Sequence, residues 1–570
     1  MIRLFVPVCS LAFALFAGTM CCASAARINV RDYGAKGDGI ADDAPAIQKA
    51  IEAARGKGPG TVVTIPAGRY RLNPITPASK CHMEFSHASG IRLEGETATI
   101  IIATDPTKAM ICVVDSSDIG ISVLKMDRHP FVFTQGMVES ADPDGKAVVV
   151  VVDEGYDDPD SQYIARQDFM MIFSDPDTGT WDHDAPWPPL IEKREKLAPR
   201  RFRLALSRAP KAVYVGKPFV IWKNVYRGAG FSLNRSRNVQ IEDVDYYGCG
   251  ANAGFFINRC EGDIVFRRFR VMVPPNSRRR FSASGGSMVF NNRIKLLVEQ
   301  CEFTNTDDDG FNMGTNSSHI FSQQSPRMVT IEKTGAEYRP GDNVALWDWA
   351  DKKMRTEAKV VGSVCDEPTR SCRVTLDRDV TVLKTGPASA TRKANEYDGI
   401  DRLVNPDDVG SVIIRNSIFH SLRARNILIK ASNSIIENNE FRHTAMAAIL
   451  VGPEFYWDEG PSVHDLIIRN NRFINVSGSN IFVGTHKSEQ SLDNRRITIE
   501  GNTFLRYGHY AFGTAGKQGT AVYVRNTDGV TVRNNRMESP DTASPKISPI
   551  LIEASKHAIV SANTLPEERK

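Results

Sequence analysis

The C-terminal third of the chain repeats a short strand-and-anchor unit, and that repeat constrains the fold more than any other feature. SVIIRNSIF ends at Phe419, SIIENNEF at Phe441, DLIIRNNRF at Phe473, ITIEGNTF at Phe504 and VTVRNNRM at Met537, at spacings of 22, 32, 31 and 33 residues. Upstream, LLVEQCEF ends at Phe303, IVFRRF at Phe269 and VQIEDV at Val244. Each unit is an alternating strand, a polar turn often containing Asn-Asn, and an apolar anchor. A second strand follows a few residues later, as in GFFI (254–257), SMVF (287–290), GFNM (310–313), NILI (426–429), AILV (448–451) and NIFV (480–483). Strands of this length at a base period near 22 predict an all-β parallel solenoid rather than a propeller, whose blades need four strands in roughly 40 residues. Asn suits the corners because it tolerates left-handed backbone and bonds to neighbouring peptides.

A chain of 570 residues suggests about four domains of ~150 residues each. The repeat replaces them with one solenoid, interrupted twice. Residues 147–225 and 320–405 carry short alternating strands around polar segments, which predicts two inserted antiparallel β-domains. The coils then occupy 26–146, 226–319 and 406–570. In INVRDYGAKGDGIADDAPAIQKAIEAA, Asp42 and Asp43 are placed to cap a helix through Ile47 and Ile51 that covers the open end of the solenoid. This segment resembles the start of pectate-lyase-like right-handed β-helix proteins.

Residues 1–25 read as a secretory signal: Arg3, an apolar run, then Ala23-Ser24-Ala25. The run is short for a membrane span, so an exported, soluble protein (periplasmic or secreted) is expected. Losing Arg3 takes the net charge from +4 to +3, too balanced for a nucleic-acid partner. Arg278 to Arg280 form a short basic run, read as a solvated loop or an anion contact. Of the seven cysteines past the signal, Cys365 and Cys372 flank a turn and can close a disulfide. Cys249, Cys260 and Cys301 lie in the repeats and read as small buried hydrophobes. No spacing suggests zinc, and no cofactor is implied. A dimer is neither required nor excluded.

The chemistry concentrates at Asp307-Asp308-Asp309, between the Phe303 anchor and the next strand. Aspartate is depleted from strands, and three together raise the pKa of at least one. Glycoside hydrolysis needs one protonated and one ionised carboxyl; a solvated turn or a calcium site remains open. Aligning the anchors places Arg425 and Lys430 one rung beyond the cluster. The loop GPEFYWDEG, with Glu454, Tyr456, Trp457, Asp458 and Glu459, lies on the following coil. Rungs ~4.8 Å apart bring these groups into one groove, where Trp offers a flat face and Arg and acids offer hydrogen bonds to a sugar. Arg425 also reads as a salt-bridge partner and Trp457 as loop packing. Asn312 in the strand after the cluster, and His319 ten residues past it, are further candidate contacts; His319 also reads as a surface histidine.

The stretches NTDDDGFNMG (305–314), LRARNILIKASNSIIENNEF (422–441) and AAILVGPEFYWDEGPSVHDLIIRNN (447–471) resemble glycoside hydrolase family 110, exo-acting α-galactosidases on a β-helix. The resemblance implies inverting, metal-independent release of a terminal α-galactosyl residue, with Asp308 and Asp309 matching the acidic pair. The chain departs from the pattern at Gly314, where the family has a His. It departs again in Gly285-Gly286-Ser287-Met288, where the family has an Asp and a His. Two other readings stay open: a calcium-dependent polysaccharide lyase with Arg425 or Lys430 as base, and a non-catalytic glycan-binding protein.

Overall fold

The computed structural model describes residues 26–565, apart from 162–163, 165–167, 176–179, 182–188, 210–214, 224–227, 249–252, 387–398, 485–491, 509–515 and 539–547. Residues 1–25, read above as a secretory signal, and Cys249 therefore lie outside the described residues. The core is a parallel β-helix. One parallel sheet takes one strand per coil, in the order Cys81–Ser86, Ala109–Val114, Phe231–Asn234, Phe255–Asn258, Ser287–Phe290, Phe311–Asn316, Ile427–Ile429, Ile449–Val451, Ile481–Val483, Val522–Arg525 and Ile550–Glu553. We call this the site sheet. The remaining two sides of each coil form a second, larger sheet that bends through a corner.

The anchors and the Asn-Asn pairs explain that corner. Asn438, Asn470 and Asn534 stand at φ of 56°, 54° and 55°, backbone that Asn tolerates better than most residues. The next asparagine points inward and joins a ladder. Asn439, Asn471, Asn502, Asn535 and Asn563 pass side-chain hydrogen bonds from coil to coil at 3.1, 3.0, 3.0 and 2.9 Å. Beside it, Phe303, Phe419, Phe441, Phe473 and Phe504 stack with ring centroids 5.0, 5.3, 4.9 and 4.9 Å apart. All five rings are buried in one continuous core that runs the length of the solenoid.

A helix, Ala44–Lys57, closes the N-terminal end with Ile47, Ala50, Ile51 and Ala54 against the core. Its cap differs from expectation. Asp43 turns back to accept the backbone N–H groups of Lys36 and Gly37 at 2.7 and 3.1 Å, and Asp42 accepts that of Ala44 at 3.2 Å. Satisfying the preceding loop takes Asp43 away from the helix.

Two antiparallel units interrupt the coils. The first is a seven-stranded sheet spanning Phe133–Lys223. It begins upstream of residue 147, because Phe133–Ala141 pairs with both Ala147–Val152 and Pro218–Lys223. The second is a six-stranded closed barrel from Ser318 to Val404. Cys365 and Cys372 form a disulfide across one of its hairpins. Cys260 and Cys301 are buried in the core. No described helix is long and apolar enough to cross a membrane.

The insertions flank the site sheet. Phe133, Val220 and Trp222 of the first pack on Phe281 and Ala445, in the turns that lead into its strands. The barrel packs Trp347 and Trp349 on Phe455, in a turn that leaves the sheet. A trough results, floored by the outward residues of the site sheet.

Candidate active site

Asp307–Asp309 lie in the turn entering the site-sheet strand Phe311–Asn316. Coil-to-coil bonding fixes this turn: the Asp307 N–H donates to Ala283 O at 3.0 Å, and Arg423 N–H to Thr306 O at 3.2 Å. Gly286 is needed at its back, since a Cβ there would run into the Asp309 carbonyl.

The three aspartates have different partners. Arg423 Nε donates to Asp307 Oδ1 at 2.6 Å. Arg425 forms a fork on Asp309, Nε to Oδ1 at 2.6 Å and Nη2 to Oδ2 at 2.8 Å, and its third nitrogen reaches Glu454 Oε1 at 2.9 Å. Asp308 alone bonds to no cation among the described residues; its Oδ1 accepts the Asp309 N–H at 3.0 Å. It is also the only one of the three that is not buried.

The electrostatics follow from this. Loss of hydration, then the Asp309 charge and, more weakly, Asp307, push the Asp308 carboxyl up to about 7 against the pull of Arg423 and Arg425. Burial also raises Asp307, opposed by Arg423 and by Trp222 from the first insertion. For Arg425, burial favours the neutral form, but the carboxylates of Asp309 and Glu454 outweigh it and hold the guanidinium charged.

A second cluster stands one step further across the same sheet. Lys430, fully buried, lies 2.8 Å from Glu459 Oε2 and donates to Asn312 Oδ1 at 2.9 Å. Asn312 Nδ2 donates to Glu459 Oε2 at 3.3 Å. Burial raises the Glu459 carboxyl, opposed by Lys430 and reinforced by Glu454. The loop carrying Glu454 and Glu459 is held by the barrel: Trp349 Nε1 donates to Phe455 O at 3.1 Å, and Arg402 lies 3.2 Å from Asp458 Oδ1. Backbone pairing of Glu459 and Gly460 with Asn316 and Thr315 ties it to the strand after the aspartates.

The structure thus brings Asp307, Asp308, Asp309, Asn312, Arg425, Lys430, Glu454 and Glu459 together. Trp457 is 54% exposed and packs edge-on against Tyr456 at 4.7 Å. His319 is not a surface residue. The strand Ser318–Ser325 carries it into the barrel wall, where its ring bonds Glu332 at 2.7 Å. Sequence reasoning missed Arg423 and Trp222. Arg423 was legible in principle, because the 116-residue offset from Phe303 to Phe419 also maps Asp307 onto Arg423 and Asp309 onto Arg425. Trp222 had no such signal, since it comes from an insertion outside the repeat.

This set suits acid–base work on a neutral, hydroxyl-rich ligand: one carboxyl free and protonatable near neutrality, the rest fixed by cations. It suits a calcium ion poorly, because two of the three aspartates are already bonded to guanidinium groups.

Residues 27–128 match the family described as rhamnogalacturonase A/epimerase, pectate lyase-like, and residues 382–565 match the right-handed β-helix region. The fold is that of a right-handed parallel β-helix. Its curated relatives include α-1,3-galactosidase A of Shewanella woodyi, 23% identical over 94% of this chain and 90% of that protein. Another is α-1,3-galactosidase A of Akkermansia muciniphila, 22% identical over 79% of this chain and 73% of that one. α-1,3-Galactosidase B of the same organism is 22% identical over 85% of this chain but only 64% of its own length. Solved structures similar to this chain include the Azotobacter vinelandii mannuronan C-5 epimerase AlgE4 A-module, at 12% identity, covering 94% of this chain and 99% of that one, with a TM-score of 0.40.

Proposed function

We propose that this protein is an exported glycosidase that removes a terminal α-linked galactose, or a closely related sugar, from oligo- or polysaccharides with inversion and without a metal. The observation that carries this reading is the asymmetry within Asp307–Asp309. Among the described residues Asp308 bonds to no cation and is raised to about 7, whereas Asp309 is gripped by Arg425. Asp308 protonates the departing glycosidic oxygen as general acid. Asp309, fixed in place by the fork of Arg425, directs a water at the anomeric carbon from the opposite face, as inverting hydrolysis requires. Asn312, Lys430 and Glu459 supply hydrogen-bond donors and acceptors to the sugar hydroxyls, and Trp457 offers a ring face at the mouth.

The relatives named α-1,3-galactosidase support the sugar and its linkage. The barrel disulfide supports export, since such bonds persist in oxidising compartments. The test is a panel of galactosides, arabinosides and uronate-containing oligosaccharides, with the anomer of the released sugar followed by NMR. Release of a β-configured sugar from an α-galactoside is the expected result. Retention, or appearance of an unsaturated product absorbing near 235 nm, overturns the mechanism.

A further inference from the structure

The outward residues of the site sheet form a row in lateral register. Phe256 pairs with Met288, Met288 with Asn312, and Asn312 with Leu428. Their inward neighbours Ile257, Val289, Met313 and Ile429 belong to the core, so the row faces the trough. Along it, polarity and exposure change at Asn312. On the C-terminal side, Leu428 is fully buried, and Asn312 itself is bonded to Glu459 of the loop. On the N-terminal side, Met288 and Phe256 are only half-buried, although both are large and apolar. The trough is therefore closed beyond the polar cluster in one direction and continues over an apolar floor in the other.

Each step in the row is about 4.8 Å, close to the width of one pyranose ring. A sugar held by Asn312 and its partners leaves its neighbour over Met288 and the next over Phe256. Pyranose rings present apolar C–H faces that pack well on aromatic and thioether surfaces. We propose that Met288 and Phe256 floor the subsites for the sugars beyond the scissile bond. The glycan chain then leaves the site toward the N-terminal coils, and only its end is processed. This rests on the glycosidase reading above and adds the direction and the contacts of the remainder of the substrate.

The test compares methyl α-galactoside with a linear trisaccharide ending in α-1,3-galactose, for wild type and for Phe256→Ala and Met288→Ala. The expected result is that kcat/KM for the trisaccharide falls about tenfold more than that for the methyl glycoside. Equal changes for the two substrates, or none, overturn the proposal. Should an alanine variant fold poorly by circular dichroism, Phe256→Leu and Met288→Gln replace it, with the same ratio as readout. Trisaccharide affinity measured by calorimetry on Asp308→Asn separates the two readings. If wild type cleaves no glycoside, the catalytic assignment fails. The floor still stands if Phe256→Ala weakens trisaccharide binding, and falls if it does not.

Discussion

Lys430 lies across the backbone of Gly314, and the two residues exclude one another's alternatives. A Cβ at position 314 would stand 2.8 Å from Lys430 Cδ and 2.9 Å from Gly460 O. The space that the resemblance assigns to a histidine side chain is here filled by the stem of a buried lysine, which carries its ammonium to Asn312 and Glu459. The departure at Gly314 is thus matched by a side chain arriving from the neighbouring coil.

This pairing makes a prediction. Gly314→His displaces Lys430, breaks its contacts to Asn312 and Glu459, and leaves Glu459 buried without its cation, at a cost of about 3–5 kcal/mol. Activity falls with it. Shortening the lysine in Gly314→His/Lys430→Ala recovers part of the stability that Gly314→His loses. Denaturant unfolding of the single and double variants gives the coupling energy, and simple additivity refutes the steric argument.

Asp308 makes a prediction in two directions. Asp308→Asn lowers kcat/KM at least ~10²-fold, the usual scale of general acid help. The same change raises stability at neutral and alkaline pH. The folded-state carboxyl is raised to about 7 from an ordinary value of 3.8. The folded protein therefore binds this proton more tightly than the unfolded chain does, and stability is lost as pH rises from about 4 to 7. Asparagine removes that loss. Melting temperatures of the two proteins converge near pH 4 and separate above pH 7, with the variant higher; a lower value for the variant at pH 8 contradicts the assignment.

Activity follows the same proton. In the proposed role of general acid Asp308 donates only while protonated, so kcat/KM is expected to hold below about pH 7 and to fall tenfold per pH unit above it. Replacing Arg423 with Gln removes a cation that pulls the Asp308 carboxyl down, so the alkaline limb shifts upward. A pH–rate profile of the variant that moves downward or not at all dissociates the limb from Asp308.

How far the site could be read beforehand depended on whether a residue belonged to the repeat. Phe303, Phe419 and Phe441 announce the coil positions, and the constant offset between coils carries Asp309 onto Arg425 and Asn312 onto Leu428. Contacts within the solenoid are local once the period is known, because each coil touches only its neighbours. The insertions obey no such offset. Trp222 meets Asp307, and Trp349 meets Phe455, across 85 and 106 residues of chain. His319 was misplaced for the same reason: it stands where the chain leaves the coil for the barrel. Asp43 shows a different limit, since two acceptors next to each other compete for the helix and for the loop before it.

Arg425 joins two carboxylates, and its planar fork is the relevant property. Arg425→Lys keeps the charge but cannot make the paired bonds to Asp309 while also reaching Glu454. The turn loosens and activity drops about tenfold, with the fold retained. Arg425→Met leaves both carboxyls buried without a cation and costs about 3–5 kcal/mol. Equal activity in the lysine variant and wild type, measured on the same glycoside, removes the positioning role from the guanidinium.

The asparagine ladder sets the stability of the coils that carry the site. Asn502 Oδ1 accepts both the Asn471 N–H at 2.9 Å and Asn471 Nδ2 at 3.0 Å, and its own Nδ2 donates to Ile468 O at 3.0 Å. Asn502→Ala leaves the Asn471 N–H buried without its acceptor, at about 1–3 kcal/mol, and takes one of the two bonds of Asn471 Nδ2, which keeps Ile436 O. Removing the half-exposed pair between Arg533 and Glu500 on the outside of the same coils costs about 0–1 kcal/mol. Because a solenoid is stabilised coil by coil, the loss in Asn502→Ala is local. Hydrogen exchange rises first in Asn494–Glu500 and Thr527–Arg533, while Arg293–Glu299 keeps its protection. Uniform loss of protection along the whole solenoid would instead show that the coils unfold as one unit.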